Sequence, residues 1–302
     1  MTDAVSPRAE IAAALDRLIA APAPLLVIAD FDGTLAAGSR DPAAARIEPG
    51  AQRALRRLAG LAVAQPGRVV VAILTGRTVT DVAGRARVGG IEYLGDHGLQ
   101  SATLARGARA ESIVAVVEPG FDGHVIPAEA LASGVAETLG RPAWLFVERK
   151  GPSVAFHVRQ ADDVPAARTA VLEAIAAVER QADLGDHGLA PYRGRSVVDL
   201  RPRAAGGKGE AVERLLARDR PGAAIVLGDD LSDGDAFDAV HAAATTGRLV
   251  TGVAVAVHGR LSAPLEVLER ADLVLASARE VGRLLGALAG RLAASGRGVS
   301  PG

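Results

Sequence analysis

Asp30 and Asp32 stand two residues apart in Asp30-Phe31-Asp32-Gly33-Thr34, directly after the apolar run Leu25–Ala29. In an extended segment that spacing puts both carboxylates on the same side, so one can attack an electrophile while its neighbour moves a proton. Gly33 permits a turn tight enough for backbone amides to face an anion. Thr75-Gly76-Arg77 ends a second run, Val69–Leu74, with a hydroxyl, a glycine and a cation suited to a phosphoryl oxygen. Lys208 lies in Gly206-Gly207-Lys208-Gly209 and opens a helical stretch, where its charge opposes the helix dipole unless an anion is near. A third run leads into Gly228-Asp229-Asp230-Leu231-Ser232-Asp233-Gly234-Asp235, four aspartates within seven residues. A hard divalent cation would relieve their repulsion, and Mg2+ typically takes one or two carboxylates plus substrate oxygens and water. Each element alone also has a plainer reading: a turn, a helix N-cap at Thr75, a solvated acidic loop.

The elements that must hold these groups are short apolar runs at 25–29, 69–74, 91–94, 223–227, 253–257 and 273–275, most of them separated by helical patterns. Runs without polar alternation suit a parallel sheet covered on both faces, and the carboxyl ends of its strands are where such sheets bind ligands. This predicts an α/β, doubly wound parallel-sheet core. The middle of the chain reads differently. Residues 144–148, 153–159 and 196–201 form predicted strands, the first two joined by a Lys150-Gly151-Pro152 turn. Val154, Phe156 and Val158 alternate with Ser153, His157 and Arg159, the period of a sheet with one face on a core. An α+β insert is expected at 105–203, within a core of 1–104 and 204–302, with hinges near 104–109 and 201–207.

Composition excludes several alternatives. A length of 302 residues favours two domains, and 49% hydrophobic with 23% charged residues argues against a disordered chain. Lys plus Arg total 34 against 35 Asp plus Glu, so no global field steers the molecule to nucleic acid or membrane. Cysteine is absent, which removes disulfides, thiolate metal sites and cysteine nucleophiles. The apolar stretch 18–29 is broken by Pro22 and Pro24 and lacks a basic leader, so neither signal peptide nor membrane span is read, and a cytoplasmic protein is expected. Both tails, 1–5 and 295–302, are expected to fray. Leu-Gly-Asp-His-Gly-Leu occurs at 94–99 and 184–189 without similar flanks, and is read as chance.

Taken together, Asp-x-Asp-Gly-Thr, Thr-Gly-Arg, Lys and Gly-Asp-Asp-x-x-Asp occur in one order, three of them directly after predicted strands. In this the sequence resembles the haloacid-dehalogenase-like (HAD) phosphatase superfamily. The resemblance implies Asp30 as nucleophile, forming an aspartyl-phosphate, and Asp32 as the acid and then the base. It implies phosphoryl contacts from Thr75 and Lys208, with Gly33 and Gly76 beside them. Mg2+ would be held by Asp30, the backbone carbonyl of Asp32, and Asp229, with Asp230 and Asp233 orienting ligands from behind. A phosphoryl transition state gains most from positioned cations and donors, which agrees with that set.

Only 44 residues separate Asp30 from Thr75, but 132 separate Thr75 from Lys208, and the surplus is the insert. Glu148 and Lys150 share a strand face and pair an acceptor with a donor, which suits sugar hydroxyls; a surface ion pair is the alternative. Val147-Glu148-Arg149-Lys150-Gly151-Pro152-Ser153 with Phe156-His157-Val158-Arg159 resembles the cap of trehalose-6-phosphate phosphatases, whose Glu-x-Lys pair contacts sugar. Gly95-Asp96-His97-Gly98, Val198-Asp199-Leu200-Arg201-Pro202 and Gly228-Asp229-Asp230-Leu231-Ser232-Asp233 are similar to the same family. Asp199 stands where that family commonly has glutamate, Val158 where an aromatic is usual, and Gly234 where an acidic residue is usual. The resemblance implies substrate contacts from Arg77, His97, Glu148, Lys150, Ser153, His157 and Asp199, the two histidines having a structural role as the alternative. The expectation is a Mg2+-dependent monomer that hydrolyses a small-molecule substrate, trehalose 6-phosphate, with no nucleic-acid or membrane partner. Alternatives are another sugar phosphate, such as glucosylglycerol-phosphate or sucrose-phosphate, a sugar phosphomutase, or a non-catalytic sensor.

Overall fold

Every residue of β1 (Leu25–Ala29) is apolar and buried, and alternate side chains enter two different cores. Leu25, Val27 and Ala29 join one cluster and Leu26 and Ile28 the other. The same division repeats in β2 (Val69–Leu74), β10 (Ala223–Gly228) and β11 (Thr251–Val257), so the sheet is covered on both faces. The first cluster is completed by α1 (Pro7–Ala20), α2 (Pro49–Ala64), α3 (Val79–Ala86) and α9 (Ala278–Ser295). The second is completed by α6 (Gly207–Asp219), α7 (Leu231–Thr245) and α8 (Leu265–Glu269). This computed structural model describes residues 7–39, 44–181, 188–193, 196–259 and 263–295. The tails at 1–5 and 296–302, and the second Leu-Gly-Asp-His-Gly-Leu copy through residue 187, lie outside the described residues.

The chain divides into one unit of Met1–Ala115 with Gly207–Gly302 and another of Val116–Gly206. In the first unit the strands run in the order β12 (Leu273–Leu275), β11, β10, β1, β2, β3 (Ile91–Gly95), β4 (Gln100–Leu104). Neighbours from β12 through β3 are parallel. The sheet is mainly parallel, as expected, and β4 turns back antiparallel to β3 after Asp96–Gly98. Its sequence, Gln-Ser-Ala-Thr-Leu, has no apolar run, because it is buried at its ends and open between them. No helix among the described residues is long and apolar enough to cross a membrane.

The second unit contains β5 (Val116–Val117), α4 (Val125–Thr138), β6 (Phe146–Arg149), β7 (Val154–His157), α5 (Val164–Gln181), β8 (Leu189–Arg193) and β9 (Val197–Pro202). Four strands form an antiparallel sheet in the order β6-β7-β9-β8. Val154, Phe156 and Val158 are fully buried against α4 and α5, as their alternation requires. Sequence reading missed β8, whose Pro191 breaks the strand pattern; the strand lies at a sheet edge, where a missing N–H is tolerated.

Candidate active site

β1 and β10 are neighbours, with β2 beyond one and β11 beyond the other, so the chain leaves the middle of the sheet in opposite directions. A crevice opens at the carboxyl ends of such a strand pair. Asp30 follows β1 and its N–H donates to the Leu227 carbonyl of β10 at 2.9 Å. Asp229 follows β10. Carboxylate oxygens of Asp30, Asp229 and Asp233 lie within 4.8 Å of one another. Lys208 Nζ, from the first turn of α6, donates to Asp30 Oδ1 and Asp233 Oδ1, both at 2.7 Å. The second oxygen of Asp233 accepts the N–H groups of Asp229 and Asp230, each at 3.1 Å. One buried carboxylate thereby joins the lysine to the loop carrying Asp229. Asp230 points to solvent and caps α7, accepting the Leu231 N–H at 2.8 Å.

Two glycines make room for these carboxylates. A Cβ on Gly33 would stand 1.9 Å from Asp229 Oδ2, and one on Gly228 2.2 Å from Asp233 Cγ. Thr34 Oγ1 donates to Asp229 Oδ1 at 3.3 Å. Burial pushes the Asp30 carboxyl up to about 7, with Lys208 pulling against it and Asp233 and Asp32 adding to the rise. Burial, together with Asp30 and Asp233, pushes Asp229 up to about 9. Burial works against charge on Lys208, but Asp233 and Asp30 outweigh it and hold the ammonium above the ordinary lysine range. Three carboxylates share one ammonium here. A cluster in which three carboxyl groups within 4.8 Å of one another face a single ammonium fits a hard divalent cation, which would supply the missing positive charge.

Thr75 is buried at the end of β2, and its Oγ1 accepts the Arg77 N–H at 3.3 Å. Gly76 lies under His97, whose Nε2 would be 2.7 Å from a Cβ there. Two bonds clamp the Asp96-His97 turn onto this loop: His97 N–H to the Thr75 carbonyl, 2.9 Å, and Asp96 N–H to the Arg77 carbonyl, 2.7 Å. Arg214 of α6 then donates to the Gly98 carbonyl at 2.7 Å. The Gly-Asp-His-Gly turn therefore ties the threonine loop to the helix of Lys208. Arg77 turns to Asp32, with Nε 2.5 Å from Oδ2 and an outer nitrogen 2.8 Å from Oδ1. The carboxylate of Asp32 is thus held apart from the cluster of Asp30, Asp229 and Asp233.

In the second unit, the sheet register brings Glu148, Ala155, Asp199 and Tyr192 into one row across β6, β7, β9 and β8. Lys150 is buried beside them, 3.9 Å from Glu148 Oε2 and 3.6 Å from Asp199 Oδ1. Its N–H donates to the Ser153 carbonyl at 3.1 Å, closing the Gly151-Pro152 turn, and Ser153 is itself buried. His157 Nε2 shares a 2.9 Å hydrogen bond with Glu148 Oε2. Arg201 Nε lies 3.3 Å from Asp199 Oδ2, and its guanidinium covers the Tyr192 ring at 3.9 Å. Such stacking on an aromatic face immobilises an arginine.

Sequence reading missed Thr34, Asp81, Tyr192 and the role of Arg201. It also passed over a usable signal: of 34 basic residues only Lys150 and Lys208 are lysines. Both are buried among carboxylates. A compact ammonium with rotatable donors can turn to two carboxylates on different chain segments, as Lys208 does to Asp30 and Asp233.

A family model described as Trehalose-phosphatase matches residues 28–262. The trehalose-phosphate phosphatase of Mycobacterium avium (strain 104) is 39% identical over 221 residues, covering 71% of this chain and 51% of that protein. The chain spans about half the length of the curated relatives it matches. Among solved structures, the C. albicans trehalose-6-phosphate phosphatase C-terminal domain superposes with a TM-score of 0.67 at 22% identity, covering 96% of this chain and 99% of that one. A haloacid dehalogenase-like hydrolase from Bacteroides thetaiotaomicron gives 0.55 at 15% identity, covering 88% and 98%. At these identities the structural likeness is one of fold, the α/β fold of HAD-like hydrolases.

Proposed function

The chain belongs to the trehalose-phosphatase family, and on that premise we propose that it is a Mg2+-dependent phosphatase converting trehalose 6-phosphate to trehalose and phosphate in the cytoplasm. The observation carrying this reading is the buried Asp30–Lys208–Asp233 contact, with Asp229 alongside, at the paired ends of β1 and β10. Asp30, Asp229 and the backbone carbonyl of Asp32 would hold Mg2+, which when bound supplies positive charge to the phosphoryl oxygens.

In the first step an oxygen of Asp30 attacks phosphorus, and the bond to the sugar oxygen breaks as Asp32 gives that oxygen a proton. In the second, Asp32 takes a proton from water as the water oxygen attacks phosphorus, and Asp30 is released. Lys208 offsets charge on Asp30 and on the transferring group, and Thr75 with the amides around Gly33 and Gly76 receives the remaining oxygens. Asp233 fixes both Lys208 and the Asp229 loop. His97 braces the Thr75 loop.

We assign sugar recognition to the Val116–Gly206 unit, through Glu148, Lys150, Ser153, His157 and Asp199. The carboxylates of Glu148 and Asp199, with the Lys150 ammonium 3.9 and 3.6 Å from them, offer acceptors and donors to sugar hydroxyls. Asp199 reaches one methylene less far than glutamate and is held by Arg201.

Phosphate release tests the reading, measured with Mg2+ and with EDTA on trehalose 6-phosphate, glucose 6-phosphate, sucrose 6-phosphate and glucosylglycerol-phosphate. Mg2+-dependent preference for trehalose 6-phosphate is expected. Preference for another disaccharide phosphate would overturn the substrate and point to Asp199. Binding without release from any of them would overturn the enzyme in favour of a sensor.

A further inference from the structure

Arg77 is a fork with anchored prongs. Its Nε and one outer nitrogen meet both oxygens of Asp32, at 2.5 and 2.8 Å, while the other outer nitrogen donates to Asp81 Oδ2 at 2.6 Å. Asp81 is itself held by Arg85 Nε at 2.7 Å, and it lies in the first turn of α3. The guanidinium carbon stands 5.7 Å above the Phe31 ring, and the side chain is 12% exposed against 46% for Asp32. The carboxylate on the open side is therefore oriented by a cation that the fold has immobilised on the other. A bidentate pair fixes the plane of a carboxylate as well as its position.

We propose that Arg77 is a positioning residue for Asp32, setting the direction in which its carboxyl meets the leaving oxygen and the attacking water. This rests on the reading of Asp32 as the proton-transferring residue. Sequence reading gave Arg77 a substrate contact; the geometry points to an action through Asp32 instead. The proton passes from Asp32 to the departing oxygen as the phosphorus–oxygen bond breaks, and the second step returns one from water to Asp32. Arg77 exchanges no proton in either step.

The test uses aryl phosphates of rising leaving-group basicity, none carrying a sugar, so that lost sugar contacts cannot mimic the effect. The value of kcat/KM reports the steps up to departure of the leaving group. Misorienting the acid should matter little for p-nitrophenyl phosphate and much for phenyl phosphate: Arg77→Ala is expected to cost less than about threefold on the first and about a hundredfold on the second. Arg77→Lys keeps charge but loses the fork, and should steepen the dependence in the same way. Asp32→Asn should steepen it too, and the double variant should be no worse than Asp32→Asn alone. Circular dichroism and melting confirm that each variant is folded. Equal loss on both esters in the Arg77 variants, or additive loss in the double variant, would overturn the proposal in favour of phosphoryl binding. Should Asp32→Asn leave the dependence unchanged, the assignment of Asp32 fails first, a result distinguishable from failure of Arg77 alone.

Discussion

Gly33 lies so close to Asp229 that a Cβ on the glycine would stand 1.9 Å from Oδ2, well inside van der Waals contact. The glycine also has φ +81°, a region costly for other residues. Gly33→Ala should therefore displace Asp229 or the turn, reducing turnover at least ~100-fold and costing about 1–3 kcal/mol of stability. Phosphate release at saturating Mg2+ and urea melts check this; activity within a few-fold of wild type would show that the carboxylate can move aside.

Asp30→Asn should abolish phosphate release while leaving the fold intact. Asn retains shape and can still accept from Lys208, and Asp233 keeps that ammonium paired at 2.7 Å. Loss of Lys208 is different, because it strands Asp30 and Asp233 together: Lys208→Met should cost about 3–5 kcal/mol. Comparing melts of the two variants separates chemistry from charge balance. Turnover retained by Asp30→Asn would remove it as the nucleophile.

Removing metal should make stability fall as pH rises. Asp30 and Asp229 titrate near 7 and 9 in the folded protein, above the carboxylate value of the unfolded chain. Folding then takes up protons: the stabilising effect is complete only below the unfolded carboxylate value near 4, declines as pH rises above it, and is exhausted above about 7 for Asp30 and about 9 for Asp229. In EDTA the melting temperature should drop by ~several degrees between pH 6 and pH 9, while saturating Mg2+, which favours the ionised forms, should remove most of that decline. A flat profile in EDTA would contradict the crowding of charge at this cluster.

Lys150→Ala should affect trehalose 6-phosphate more than p-nitrophenyl phosphate, since Lys150 sits with Glu148 and Asp199 in the second unit. Loss of a buried donor to substrate hydroxyls predicts ~10- to 100-fold lower kcat/KM on the sugar ester and little change on the small one. Equal losses would defeat a role in sugar recognition.

Legibility followed unbroken apolar sequence. The strands β1, β2 and β12 match their apolar runs at both ends, although Val274 of β12 is exposed, and β10 extends its run by one residue. By contrast β4 and β8, at or near sheet margins, have mixed sequences that composition does not separate from loops. At the second unit's strands, alternation gave the correct faces for Val154, Phe156 and Val158, but the ends shifted by one or two residues, because solvent contact lets either side chain type occur there.

By itself the sequence determined the layered α/β core, the order of the chemical motifs and the placement of acidic and basic groups at strand ends. These follow from local rules: apolar runs seek burial, glycines admit tight turns, and motif spacing survives in one dimension. Tertiary structure alone decided where each polar side chain finds its partner. Asp32 and Arg77 are 45 residues apart and Lys208 and Asp30 are 178 apart, and each pair meets only because the sheet and its packed helices bring distant chain segments together. In the same way Asp233 became the link between lysine and loop, because a buried carboxylate must spend its oxygens on whatever donors the packing supplies, whereas the exposed Asp230 caps α7 through a local bond to Leu231.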